Sequence, residues 1–537
     1  MQAPVATVQK QSGLHYKWIV TLVVIFGAFM SILDQTIVNI AIPRLERAFS
    51  ANLDGVQWVL TAYILTQGVI TPTTAFFADR LGTKRFYIIA LSVFTLGSAL
   101  CGLAWSLPVL IIFRILQGVG GAFLFPLAIT MLYREFPPEQ RGLASGLFGI
   151  AALLAPAVGP TLGGYFVTYV NWQFIFFVNV PLGIIGAILA FILLHEVRTQ
   201  NPVRFDLPGF LLVAAGLAAM LYGLSDASTD GWGSARVLGS LIGGVLLLGC
   251  FVAFELQLVR RKQQPLLDLS LFVNGPFLTS NITNVLVTFA FFGGIFLFPI
   301  YLQNLRGLNA FQSGLLLLPQ AFASIITALI GGRAVDRFGA RVVVIPGLAL
   351  MALASWLLTF ITLDTPYWSL QIIFVLRGLA LGLIIQPLSV SALSAIQPRK
   401  FAQASSLYTV LRFVATSLGI AVLATFVQTQ AQTHATTLAS QVTPASPFAQ
   451  LAARTQAHLL QQGASLAAAE RAAGQQLAGL IQQQSYLLAL QDTYWFLLIV
   501  LCASVIAACF IRTRKRQAVA VHEIEDETNL LEPFIME

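Results

Sequence analysis

The chain has 537 residues, of which 10% are charged and 57% hydrophobic, with a mean hydropathy of +0.81. A water-soluble domain is about one-quarter charged, so this composition excludes a protein wetted on all sides and requires lipid over much of its surface. The net charge of +8 would suit nucleic acid or anionic lipid, and its distribution along the chain favours lipid.

Apolar runs of a length that crosses a bilayer as a helix recur from end to end, each bounded by charged or turn-forming residues. After an N-terminal segment 1–17, spans are expected near 18–41, 55–78, 86–105, 108–132, 142–168 and 174–194. Two follow near 208–225 and 236–258, then six near 275–301, 311–332, 341–361, 368–392, 402–427 and 491–512. The first run carries Asp34 and is too long for a signal-peptide core, so it is expected to remain as an uncleaved span. The stretch 428–490 is rich in Ala, Gln and Leu. Its helical runs Leu451–Gln462 and Leu466–Gln484 are expected to form a solvated hairpin outside the membrane, or else a docking surface for an extracytoplasmic partner. The segment 513–537 is expected to be a cytoplasmic tail, whose acidic part from His522 to Glu537 is expected to lack fixed structure. Cys101, Cys250, Cys502 and Cys509 lie in apolar runs without metal-ligand or disulfide spacing.

Fourteen spans place both termini on one side. With that side cytoplasmic, the outer segments hold six basic residues, Arg44, Arg47, Arg236, Arg306, Arg454 and Arg471, and three more, Arg114, Arg377 and Arg412, fall inside spans. The other 21 of the 30 Lys and Arg lie in cytoplasmic segments, as the positive-inside rule requires. A multi-pass protein of the cell (inner) membrane is expected.

The chain also repeats itself. A-F-F-A-D-R-L-G-T-K-R at 75–85, with Asp79 and Arg80, is matched by G-R-A-V-D-R-F-G-A-R at 332–341, with Asp336 and Arg337, at an offset of 257 residues. Arg114, Gly118 and Pro126 are matched by Arg377, Gly382 and Pro387, with the two arginines 263 apart. Two motifs at nearly one offset equate spans 1–6 with spans 9–14 and leave spans 7 and 8 as an inserted pair. Such repeats are a mark of secondary transporters. The expected fold is therefore all-α. A six-helix bundle (18–194), an inserted pair (208–258) and a second bundle (275–512) make up its parts.

On these motifs the sequence resembles the major facilitator superfamily, and within it the fourteen-span drug:proton antiporters of the EmrB/QacA type, EmrB-like members above all. L-D-Q-T-I-V-N-I-A-I-P at 33–43 is similar to that family's first-span signature, and the run from Gly146 through Gly159, Pro160, Gly163 and Gly164 looks like its antiporter motif. Small residues there let helices approach closely, and the resemblance implies exchange through a tight, kinked contact. It also implies that Asp79, Arg80, Asp336 and Arg337 form a cytoplasmic latch, although Ala75, Thr83 and Ala340 depart from the usual pattern. EmrB-like members of diderm bacteria work with a periplasmic adaptor and an outer-membrane channel, and the long outer loop resembles theirs.

Ionisable groups inside a membrane are costly and mark function. None of the five histidines lies deep in a span, and Glu255 falls near the cytoplasmic end of span 8, where it is expected to reach the interface. Asp34 is then the deep carboxylate, on one helix face with Gly27, Ser31 and Ala41. Arg114 lies at similar depth in span 4. Burial disfavours the carboxylate's charge and a guanidinium favours it, so Asp34 is expected to carry the proton and Arg114 to tune it, a permanent structural pair being the alternative. Tyr63, Gln67, Asn284, Gln386, Tyr408 and Arg412 are polar at mid-span depth and are candidates for a substrate cavity. Three deep arginines against one carboxylate lean toward neutral or weakly acidic amphiphiles. No Lys follows a Gly, so the chain holds no P-loop, and it shows no metal, cofactor or hydrolase motif. A proton-coupled multidrug exporter is the expected function. The alternative is a dedicated exporter or symporter of a metabolite, fatty acid or siderophore.

Overall fold

The computed structural model describes residues 16–51, 53–197, 205–227, 230–261, 263, 265–295, 297–397, 400–442, 447–462 and 465–511. Residues 1–15 of the N-terminal segment, the tail 513–537, and the basic residues Arg198, Arg204 and Arg399 lie outside them. Among the described residues thirteen helices are long and apolar enough to cross a membrane.

Numbering only helices in the spanning positions, the first half holds α1 (Tyr16–Ile37), α2 (Leu53–Ile70), α3 (Thr83–Gly102), α4 (Leu107–Glu135), α5 (Arg141–Tyr169) and α6 (Asn179–Leu193). Next come α7 (Leu207–Asp226) and α8 (Ala235–Arg260). The second half holds α9 (Gly275–Ile295), α10 (Ala310–Phe338), α11 (Ala340–Leu358), α12 (Tyr367–Ser394), α13 (Phe401–Ser440) and α14 (Leu466–Cys509). The thirteen exclude α2. Asp54, Gln57 and Gln67 make it less apolar, and Pro72 breaks it into a 3-10 turn at Thr71–Thr73 before a last helix Thr74–Leu81. Fourteen is thus an approximate count that depends on this interrupted helix.

The outer segment differs from a separate hairpin. The helix Pro447–Gln461 is a separate element packed on α14, but the flanking runs are continuous with their spans: α13 has 40 residues and α14 has 44. At 1.5 Å per residue these are about 60 and 66 Å long, against roughly 30 Å of hydrocarbon. The polar halves of both helices therefore project well beyond the apolar layer, since nothing in the Ala/Gln-rich sequence breaks them.

The D-R-x-G motifs produce the same turn in both halves. Gly82 and Gly339 have φ of +86° and +85° with ψ of 152° and 159°, a region that a Cβ would make costly. Each turn reverses the chain between two helices at the end bearing Arg80, Lys84, Arg134, Arg141, Arg337 and Arg341, called here the basic end.

Within the first half α1 packs on α4, α5 and α6, and α4 packs on α2 and α3; in the second, α12 packs on α9, α10 and α11, and α14 on α11 and α13. The pair α7–α8 meets face to face where Gly216 and Gly244 let backbones approach. Thr61 and Ser225 hydrogen-bond across α2 and α7, and Trp232 beyond α7 donates to Thr425 of α13. On α8 the side chains of Leu238, Ile242, Val245, Leu246 and Val252 are exposed, a surface suited to lipid. Glu255 does not reach the interface. It is fully buried and accepts hydrogen bonds from the backbone N–H of Leu266 (3.1 Å) and Leu267 (3.4 Å), because the chain after α8 folds back over it.

Candidate functional site

Asp34 sits in the last turn of α1, fully buried. Arg114, one turn into the buried part of α4, places Nη1 2.5 Å from Asp34 Oδ2, and neither residue is exposed. Gln117 Nε2 and Asn179 Nδ2 donate to Asp34 Oδ1 at 2.9 and 3.1 Å. Arg114 in turn donates to Val59 O (2.9 Å) and Gln117 Oε1 (2.8 Å) and lies 4.0 Å over the Tyr63 ring, while its Nη2 has no hydrogen-bond partner among the described residues. Four helices, α1, α2, α4 and α6, thus converge on one carboxylate. The buried carboxylates among the described residues are Asp34, Glu255 and Asp268, and of these only Asp34 pairs with an arginine. A desolvated pair is held by geometry and by its additional hydrogen bonds, so protonating Asp34 would remove the charge on which the whole cluster depends.

Ser31, Tyr63, Gln67 and Gln35 extend this cluster along α1 and α2. Gln67 donates to Ser31 Oγ (3.3 Å) and accepts from Gln35 (2.9 Å), and the Tyr63 hydroxyl lies 3.4 Å from Ser31 Oγ. Tyr63 and Gln67 therefore support the ion pair from within the first half.

A separate cavity of about 60 Å³ lies between the halves. Its walls come from α5 (Ala152, Pro156), α9 (Asn284, Phe292), α10 (Gln320) and α13 (Arg412), among others. Asn284 and Arg412 line it; Tyr63, Gln67, Gln386 and Tyr408 do not. Tyr408 stands behind Asn284, donating to its Oδ1 at 2.9 Å. Gln386 faces the basic end, where its Oε1 accepts from Ser145 at 2.8 Å.

At the basic end the halves are joined closely. Thr130 meets Ser405 (2.9 Å), Ser406 donates to Thr71 O (2.8 Å), and Tyr133 lies 3.3 Å from Ser389. Asp336 accepts from the backbone N–H of Gly142 (2.7 Å) and Leu143 (3.0 Å), the first turn of α5 in the opposite half. A carboxylate is favoured there by the unpaired N–H groups and the helix dipole. Arg337 is exposed, 5.3 Å over Phe338, and Arg80 is 5.8 Å over Phe76. Among the described residues neither arginine forms an ion pair across the halves; each side chain lies over a ring of its own helix. Asp79 borders a crevice with Asp206 and Gln403.

The α5 motif packs on both halves: a Cβ on Gly146 would lie 2.6 Å from the carbonyl oxygen of Ala328 of α10, in the other half. A Cβ on Gly159 would lie 2.2 Å from Thr36 Oγ1, and one on Gly163 2.8 Å from Ile37 O, so both glycines seat α5 against α1. Pro160 lies within the helix and Gly164 is buried beside it. A further contact with the other half lies next to Pro160, where Gly314 of α10 faces Thr161.

Sequence reasoning missed Asn179, whose signal was a lone amide in the apolar run F-F-V-N-V-P-L-G. It also missed Phe125 and Phe298, whose rings face Arg412 at 4.4 Å and Arg377 at 4.8 Å; aromatic residues in an apolar run carry no such signal.

Residues 24–420 match the Major Facilitator Superfamily family. The chain belongs to that superfamily. The uncharacterized MFS-type transporter YhcA of Bacillus subtilis is 35% identical over 79% of this chain and 79% of its own length. The multidrug resistance protein B homolog of Mycobacterium tuberculosis is 33% identical over 75% and 74%. The tetracenomycin C resistance and export protein of Streptomyces glaucescens is 33% identical over 69% of each. Among solved structures, a double-tryptophan mutant of XylE superposes with a TM-score of 0.58 at 15% identity, covering 94% of this chain and 97% of that one, and supports the major facilitator fold. The protein is a multi-pass membrane transporter of small molecules, of the type to which the named drug-resistance relatives belong.

Proposed function

We propose that this transporter exports amphiphilic toxic compounds in exchange for protons, by alternating access, in the cell (inner) membrane with both termini cytoplasmic. The observation that carries the reading is the fully buried Asp34–Arg114 pair. Asp34 takes the proton, Arg114 is released from it, and α4 is freed to move. That helix also carries Phe125, which covers Arg412 at the cavity, and Thr130, which bonds Ser405 across the basic end. One helix therefore links the proton site to the substrate cavity and to the seal. The reading divides the chain into bundles 18–194 and 275–512 around an inserted pair 208–258, with Asp336 as the working part of a cytoplasmic latch.

The test is toxicant-dependent proton movement by the purified protein in sealed vesicles. No proton movement with any of a chemically varied panel would refute it. The relative named for tetracenomycin C favours a second reading, a dedicated exporter, which predicts resistance to one compound class only when the chain is expressed. The projecting ends of α13 and α14 suit a periplasmic adaptor leading to an outer-membrane channel; coelution lost on deleting 440–485 is the corresponding check.

A further inference from the structure

The cavity between the halves carries positive charge that nothing in the described chain offsets. Arg412 lines it, and among the described residues its guanidinium makes no ion pair and no hydrogen bond. It meets instead the ring faces of Phe125 at 4.4 Å and Phe292 at 5.4 Å. Arg377 stands behind the same wall, 2% exposed, over Phe298, a ring that lines the cavity, and its Nε has no hydrogen-bond partner among the described residues. Arg412 is partly exposed, whereas Arg377 is buried; a guanidinium withheld from water without a carboxylate is costly, and a ring face compensates only in part.

Asn284 gives an independent indication. It is 3% exposed and lines the cavity. Its Oδ1 accepts from Tyr408 (2.9 Å) and Thr288 (3.4 Å), and its Nδ2 is a buried donor with no acceptor among the described residues. Buried donors are normally paired. One wall of the cavity thus presents an unpaired cation and an unpaired N–H donor, and Phe291, Phe292 and Phe298 supply flat apolar surface around them.

We propose that the exported molecule is an organic anion, a carboxylate or an acid of comparable charge on an aromatic body. This rests on the reading of the chain as an exporter and names the substrate class for its cavity. Arg412 pairs with the anionic group, Asn284 donates to it, and the phenylalanines receive the body. At about 60 Å³ the cavity holds little more than such a group. The body enters when the halves part, a movement that withdraws Phe125 of α4 from Arg412 and opens the guanidinium to the ligand.

The test uses three probes of one shape, 2-naphthoate, 2-naphthamide and 2-naphthylmethylammonium, binding to the full chain in lipid nanodiscs without a proton gradient. Naphthoate should bind at least tenfold more tightly than either of the others. Arg412→Gln should weaken naphthoate at least tenfold and leave the amide within twofold, and Arg412→Lys should recover part of the loss. Equal or tighter binding of the amide or the ammonium probe would overturn the proposal. So would naphthoate affinity unchanged in folded Arg412→Gln, or no naphthoate binding at millimolar concentration. If Arg412→Gln does not elute as a folded protein, the wild-type ranking of the three probes decides. Because no gradient is imposed, failure of proton coupling leaves this result standing, and the two readings fail separately.

Discussion

Gly142→Ala should open the basic end of the transporter. A Cβ at Gly142 would lie 2.1 Å from the carbonyl oxygen of Gly332 and 2.5 Å from Asp336 Oδ1. The first of these is backbone of α10 and cannot rotate away, so α5 and α10 must separate there. Overpacking a close contact costs about 1–3 kcal/mol, which corresponds to a shift of roughly 5- to 150-fold against the closed arrangement. Separation also stretches the bonds from Gly142 and Leu143 to Asp336, adding to the shift. Spin labels at Glu139 and Arg333, both exposed, report the distance across this end by double electron–electron resonance in a background without native cysteines. The distribution should move to longer distances in Gly142→Ala. Gly239→Ala, which meets nothing within 4 Å, should leave it unchanged. An unaltered distribution in folded Gly142→Ala would refute the argument that this glycine contact closes the basic end.

Two predictions concern the connections around the inserted pair. Asp268, before α9, is held below the ordinary carboxylate range: burial pushes it up, but hydrogen bonds from Lys400 and Ser270 and the ammonium charge outweigh that. A depressed value means its stabilisation is complete above the unfolded carboxylate range, near 4, and is lost as pH falls below it. Asp268→Asn should therefore lower the melting temperature at pH 7, by about 1 kcal/mol equivalent given that Lys400 is partly exposed, and converge with wild type in acid; a constant difference at every pH would contradict the ion-pair account. Glu255→Ala should leave the N–H groups of Leu266 and Leu267 without their acceptor and cost about 1–3 kcal/mol, read as a lowered melting temperature, with Glu255→Gln milder. No loss in either variant would show that the fold-back after α8 does not depend on this carboxylate.

The architecture was legible because lipid imposes it. Where no water reaches the backbone only long helices survive, and charged residues such as Arg80, Arg134 and Arg337 collect in their last turns. The D-R-x-G repeat marked equivalent turns because one glycine conformation serves both. The pairing of Asp34 with Arg114 was legible for a similar reason: two ionisable groups at one depth in an apolar chain have few other partners. What the sequence withheld depends on which helices face each other. Polarity alone grouped Tyr63 and Gln67 with Asn284 and Arg412, yet the first two belong to the ion-pair cluster and the others to the cavity. Glu255 looked interfacial by its position in α8, and only the path of the next segment buries it. The lengths of α13 and α14 escaped notice because their Ala/Gln-rich halves lack the hydropathy that marks a span while keeping full helical propensity.

The measurement that tests the central claim most directly is proton movement into sealed vesicles containing wild type or Asp34→Asn, with a pH-sensitive dye trapped inside and amphiphilic toxicants added. The account predicts toxicant-dependent proton flux in wild type and none in Asp34→Asn that is folded and still binds the toxicant. Undiminished coupling in Asp34→Asn would contradict it.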